Sequence, residues 1–220
     1  MKLKLNKMPL AVKICGLSTK ETVVAAVEGG AAFVGFVFFA KSPRNVSPQH
    51  ANVLAQAVPS HVSKVGLLVD ASDDEIESIL KGAPLDMVQL HGTETPERVS
   101  AIKAKFSLPV MKVIAVSDAA DIEMARAYEP IADRLLFDAK PPEDASRPGG
   151  LGEAFNWGLL AGKSFAVPWM LAGGLTADNL AGAVAANGAP GVDVSSGVED
   201  GPGDKSISKI KTFLDIAAGL

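Results

Sequence analysis

Short, almost unbroken apolar runs alternate with longer stretches of mixed polarity from one end of the chain to the other. The runs are Val12–Cys15, Phe33–Phe38, Lys64–Val69, Met87–Leu90, Val110–Val116, Arg134–Asp138, Trp169–Ala172 and Val192–Ser195. They are rich in Val, Ile, Leu and Phe, and are bounded by Gly, Pro or polar residues. Runs of this length and composition predict strands, and their near-continuous apolarity is what burial on both faces requires.

The stretches between them carry helix-start chemistry. Ser18 to Glu21 reads as a capping box, in which the hydroxyl and the carboxylate each satisfy a free backbone N–H. Ser72 to Glu75 repeats the pattern, followed by Ile76, Ile79 and Leu80 at helical spacing. Ser47-Pro48 and Thr95-Pro96 each put a capping hydroxyl before a proline, whose missing N–H is harmless at the first helical position. Gly29-Gly30 and Gly82 mark helix ends. A seventh unit is expected to open at Thr176 and close near Gly188, and a last helix to run from about Lys205 to Ala217.

Eight strand–helix units without a linker predict an α/β fold, a closed (β/α)8 barrel of the TIM type. It would form a single domain over residues 1–220, with residues 1–11 as an N-terminal extension. A doubly wound open sheet would instead call for a glycine-rich dinucleotide turn after the first strand, and Cys15-Gly16-Leu17-Ser18 is not one. The long connection Ala139–Gly152, with its prolines and glycines, is the length of a functional lid or a disordered segment.

Composition narrows the function. A chain of 220 residues, 48% hydrophobic, suffices for one sizeable core. The net charge of −4 gives no basic face for nucleic acid. No apolar run is long enough for a bilayer, and the first ten residues lack the pattern of a secretion signal, so a cytoplasmic location is expected. The single cysteine excludes an internal disulfide and a cysteine-rich zinc cage. His50, His61 and His91 lack ligand spacing, and no metal is expected.

In such a barrel the chemistry lies at the C-terminal ends of the strands. Leu171-Ala-Gly-Gly-Leu-Thr176 and Asp193-Val-Ser-Ser-Gly-Val-Glu199 end the last two strands with small residues. Their backbone N–H groups can approach an anion closely, and these two loops are the usual phosphate site of the fold. Cys15 ends the first strand and shares a face with Lys13. A neighbouring ammonium and a helix N-terminus favour thiolate, although a lone cysteine is as well explained by packing. Asp138 closes an apolar strand, where an acid is poor strand material; it is either a turn residue or a proton-transfer group beside the thiol. Arg44 in Ser42-Pro-Arg44 offers a fork for a carboxylate, but an isolated tripeptide of this kind reads first as surface. His91 is open between a supporting role and a satisfied core group, and Asp193 shares its strand face with Ser195.

Taken together and in order, these motifs resemble phosphoribosylanthranilate isomerase of tryptophan biosynthesis. The likeness is carried by Lys13-Ile-Cys-Gly16, Phe36 to Phe38, Ser42-Pro-Arg-Asn-Val-Ser47, Gln89-Leu-His-Gly92 and Phe137-Asp138. It continues through Gly149-Gly-Leu-Gly152, Phe155-Asn-Trp157, Leu171 to Leu175 and Asp193 to Glu199. The resemblance implies an Amadori rearrangement of a small phosphorylated substrate, without cofactor or metal. By the family pattern Asp138 is the general acid and Cys15 the general base. Arg44 would hold the anthranilate carboxylate, and Gly173, Gly174, Ser196 and Gly197 would bind phosphate, with Lys13, His91 and Asp193 in support. Leu151 and Asn156 depart from the family's usual lid residues. A ribulose-phosphate-type epimerase would require metal-binding histidines and carboxylates, and the related histidine-pathway isomerase an aspartate in place of Cys15. A non-catalytic phosphate-binding barrel has no need of Cys15 and Asp138 together. A monomer is expected rather than a homodimer.

Overall fold

The computed structural model describes residues 9–142 and 144–220. Eight parallel strands close into a barrel in sequence order. They are β1 (Ala11–Cys15), β2 (Phe33–Val37), β3 (Ser63–Leu68), β4 (Met87–Leu90), β5 (Val110–Val116), β6 (Arg134–Ala139), β7 (Trp169–Leu171) and β8 (Gly191–Val194). Each lies within a residue or so of its apolar run. The barrel shuts where β1 meets β8, with Lys13 opposite Asp193. Residues 1–8 of the expected N-terminal extension lie outside the described residues, as does Glu143 of the long connection.

The helices follow their caps. Ser47 accepts from the backbone N–H of His50 to start α2 (Pro48–Ala55), and Thr95 accepts from Arg98 to start α4 (Pro96–Phe106). The Ser72/Glu75 capping box is formed in full at the head of α3 (Asp73–Gly82). The box expected at Ser18 is not: Thr19, one residue on, caps α1 (Lys20–Glu28). α5 is short (Ala119–Met124). α6 (Leu180–Asn187) begins four residues after Thr176 and ends at Gly188, and α7 spans Ile207–Ala218.

Two departures from a plain eight-fold alternation bear on function. Between β6 and β7 the described chain forms no α-helix, only the 3₁₀ turn Trp157–Leu160, so the sixth unit is mostly loop. After β8 the chain adds an unforeseen hairpin, β9 (Glu199–Gly201) with β10 (Asp204–Lys205).

The barrel interior is layered. Alternate strand residues Phe33, Val65, Met111, Val113, Leu136 and Met170 pack an apolar plug in the lumen, apart from the larger core between barrel and helices. At its base Arg134 stacks over Phe33 at 5.0 Å. Above the plug sit Lys13 and Gln89, both 0% exposed, with Asp193. Cys15, Val37 and Leu67 form the next cluster toward the strand C-termini. Gly35 makes the polar layer possible, because a Cβ there would stand 3.0 Å from Cys15 Sγ and 3.2 Å from Lys13 Nζ. No helix among the described residues is long and apolar enough to cross a membrane.

Candidate active site

The polar layer begins with an ion pair. Lys13 Nζ donates to Asp193 Oδ1 at 2.8 Å, inside the barrel wall. Burial works against the ammonium, but Asp193 and Cys15 outweigh it and hold Lys13 protonated above the ordinary lysine range. Cys15, next on the same face, is 3% exposed. Burial pushes its thiol up, Lys13 pulls it down and the Asp193 charge adds to the rise, leaving the thiol above its usual value. The expectation that a neighbouring ammonium would make thiolate easy is therefore corrected: desolvation outweighs the attraction.

Asp138 stands at the end of β6 with both carboxylate oxygens engaged differently. Oδ1 accepts from the backbone N–H of Ala139 at 2.8 Å. Oδ2 lies 3.4 Å from His91 Nε2. On its far side His91 Nδ1 is 3.3 Å from the amide nitrogen of the buried Gln89. With the amide nitrogen as donor, Nδ1 accepts, and Nε2, which has no hydrogen-bond partner among the described residues, faces the carboxylate. Gly149 covers this pair from the β6–β7 connection: a Cβ there would lie 2.9 Å from Asp138 Oδ2 and 2.8 Å from His91 Nε2.

Arg44 is 4% exposed, which overturns the surface reading of its tripeptide. Its Nε donates to Glu199 Oε1 at 2.6 Å and its Nη2 to Glu199 Oε2 at 2.7 Å. Nη2 also donates to the Gly150 carbonyl at 3.1 Å. One edge of the fork is thus occupied by protein, and Nη1 has no protein acceptor among the described residues. Lys205 Nζ donates to Glu199 Oε1 at 2.6 Å and to the Ser195 carbonyl at 2.8 Å. Burial pushes the Glu199 carboxyl up, but the two cations hold it below its usual value. Burial also lowers Lys205, against the pull of Glu199. Gly16, at φ +79°, lets the arginine stem pass, since a Cβ there would meet Arg44 Cδ at 2.6 Å.

The remaining side of the mouth is built from backbone. Gly173 (φ +83°) and Gly174 (φ +64°) adopt left-handed conformations that glycine reaches without strain. Their N–H groups have no protein acceptor among the described residues. Asn179 pins the loop, its amide donating to the Gly174 carbonyl at 2.9 Å and its Oδ1 accepting from Thr176 N–H at 2.8 Å. These glycines, with Gly149–Gly152, Ser195 and Ser196, line a cavity of about 440 Å³. An adjoining cavity of about 460 Å³ is lined by Cys15, Arg44, His91, Asp138 and Arg147; the two share Asp138, Gly149, Gly150, Asp193 and Ser195.

The structure thus brings Cys15, Arg44, His91, Asp138, Gly173, Gly174, Asp193 and Ser196 to one mouth. Lys13 lies beneath it. Gly197 does not line either cavity; a Cβ there would sit 1.9 Å from the Leu175 carbonyl, so its glycine serves loop-to-loop packing. Sequence reasoning missed Glu199 and Lys205 as the clamp on Arg44, Asn179 as the loop pin, and Arg147. Only Glu199 lay within a quoted motif.

The family model described as N-(5'phosphoribosyl)anthranilate (PRA) isomerase matches residues 12–216. The N-(5'-phosphoribosyl)anthranilate isomerase of Paramagnetospirillum magneticum is 53% identical over 212 residues, 96% of this chain and 99% of that one. Monomers generated from the dimeric phosphoribosylanthranilate isomerase of Thermotoga maritima superimpose with a TM-score of 0.82 at 34% identity, covering 96% of this chain and 100% of that one. A phosphoribosylanthranilate isomerase solved with reduced 1-(o-carboxyphenylamino)-1-deoxyribulose 5-phosphate gives 0.79 at 33% identity, over 96% and 100% of the two chains.

Proposed function

The chain belongs to the N-(5'-phosphoribosyl)anthranilate isomerase family and is an isomerase of tryptophan biosynthesis, and from that premise we propose that Asp138 and Cys15 are its general acid and general base. The reaction opens the ribose ring and moves hydrogen from C2' to C1'. Asp138 delivers a proton to the ring oxygen as the C1'–O bond breaks, and the anthranilate nitrogen lone pair forms the Schiff base. The Cys15 thiolate then takes the C2' proton, giving an enolamine that tautomerises to the ketone. Only protons move, so the chemistry requires no redox partner.

The observation that carries this reading is that the thiol and the carboxyl line one cavity, beside an arginine and next to a cradle of free backbone N–H groups. An anion at each end of the substrate, phosphate on Gly173, Gly174 and Ser196 and carboxylate at Arg44, would hold the sugar between acid and base. His91 Nε2 beside Asp138 Oδ2 supports the carboxylate left after proton delivery. The raised thiol makes thiolate a minority species and a correspondingly strong base, while Lys13 offsets part of that rise.

The test follows the loss of phosphoribosylanthranilate fluorescence. Wild type turns over, and Cys15→Ser and Asp138→Asn each lose at least ~10²-fold in kcat, the low end for a general acid or base. Unchanged turnover in both variants would remove the assignment. We further read the chain as a monomer: among the described residues the exposed large apolar side chains, Val53, Met124 and Ile207, are on three different helices. Light scattering at twice the monomer mass would overturn that reading.

A further inference from the structure

Among the described residues that line the two cavities, Arg147 is the cation that the preceding assignments leave unused. It belongs to the connection between β6 and β7. Its Nε is buried with no hydrogen-bond partner, and it forms no ion pair among the described residues. It lines the cavity holding Cys15, Arg44 and Asp138, and also a neighbouring pocket walled by Phe39, Val69, Val113 and Pro148.

A buried donor without an acceptor is unfavourable to keep, and a ligand oxygen that accepts it removes the penalty. Arg44 cannot grip a carboxylate with the Nε/Nη2 edge of its fork, because Glu199 already occupies that edge through two short bonds. Nη1 remains, and one NH2 group without the second arm of the fork is a weak selector for a planar anion. The walls of the neighbouring pocket suit an aromatic ring, and Arg147 stands where that pocket meets the reacting cavity.

We propose that Arg147 is the specificity determinant for the anthranilate carboxylate, gripping it from the connection while Arg44 Nη1 meets it from the barrel rim. The assignment rests on the function proposed above and adds a residue to it. Arg147 finds its acceptor only when the carboxylate is present.

The experiment is a cycle in residue and ligand. Calorimetry measures Kd for the reduced carboxyphenylamino-deoxyribulose phosphate and for the same compound without its carboxylate, with wild type, Arg147→Ala and Arg147→Lys. In wild type, removing the carboxylate weakens binding ~10-fold or more, the value of a charge-assisted hydrogen bond. In Arg147→Ala the two compounds bind within about 3-fold of each other, a loss of discrimination that follows from the same missing bond. Arg147→Lys recovers part of the discrimination, and KM for phosphoribosylanthranilate rises in Arg147→Ala while kcat changes less. Arg147→Ala weakening both compounds equally, or neither, would sink the proposal and leave Cys15 and Asp138 untouched. Wild type that binds neither compound would sink this assignment together with the function it rests on.

Discussion

The two ends of the mouth handle negative charge by opposite means. On the β7–β8 side the donors are backbone N–H groups at Gly173 and Gly174, held by Asn179 and free of any titratable partner. Where β1 and the β2 loop meet Asp193 and the β9–β10 hairpin, the positive charge is on side chains tied to carboxylates: Lys13 to Asp193, Arg44 and Lys205 to Glu199. The first construction depends on conformation and tolerates no Cβ. The second depends on charge balance: remove one member and another is left buried and uncompensated. The same task therefore leaves one end sensitive to shape and the other to charge.

The largest effect should come from breaking the charge balance. Glu199→Ala leaves Arg44 and Lys205 buried without their shared partner, which costs about 3 kcal/mol or more. Calorimetric unfolding should show a Tm lower by roughly 6–12 °C for a chain of this size. A Tm within a degree of wild type would mean that the clamp is not buried enough to matter. A smaller effect, on affinity and not on folding, is expected at the other end. Gly174→Ala places a Cβ 2.9 Å from Ala154 Cβ at φ +64°, turning the N–H away from the cavity. One lost charge-assisted hydrogen bond corresponds to ~10-fold or more in Kd for a phosphate-bearing ligand. Tight binding retained in that variant would break the backbone half of the contrast.

The mildest test uses pH. A thiol held above its usual value has less thiolate at any given pH, so alkylation of Cys15 by iodoacetamide at pH 8 should be slower than that of an unstructured thiol. The rate should keep climbing at pH values where an ordinary thiol has already levelled off. Phosphate affinity of the glycine loops, with no side-chain titration of their own, should not follow that curve. Faster alkylation than the free thiol would mean that Lys13 outweighs burial.

What was legible in the sequence was what local chemistry encodes. The apolar runs gave each of the eight strands nearly to the residue, because a buried parallel strand has no polar face to blur its ends. Prolines after Ser47 and Thr95 marked helix starts correctly. Ser18 failed because Thr19 offers the same hydroxyl one residue later, and spacing alone cannot choose between them. The sixth helix failed because its stretch is dominated by proline and glycine, and the β9–β10 hairpin because its strands are too short to show a period. The Arg44–Glu199 clamp joins residues 155 positions apart, and a tertiary ion pair leaves no periodic trace in either segment. The site was thus readable as a set of strand-end residues, but not as the network that decides which of them are free to meet a ligand.

The pairing of Lys13 with Asp193 has a consequence for biogenesis. Its members lie 180 residues apart, on the first and last staves of the barrel. Burying the Lys13 ammonium without Asp193 would be unfavourable, so it stays hydrated until β8 docks against β1. Sealing the seam and pairing that charge are therefore a single event.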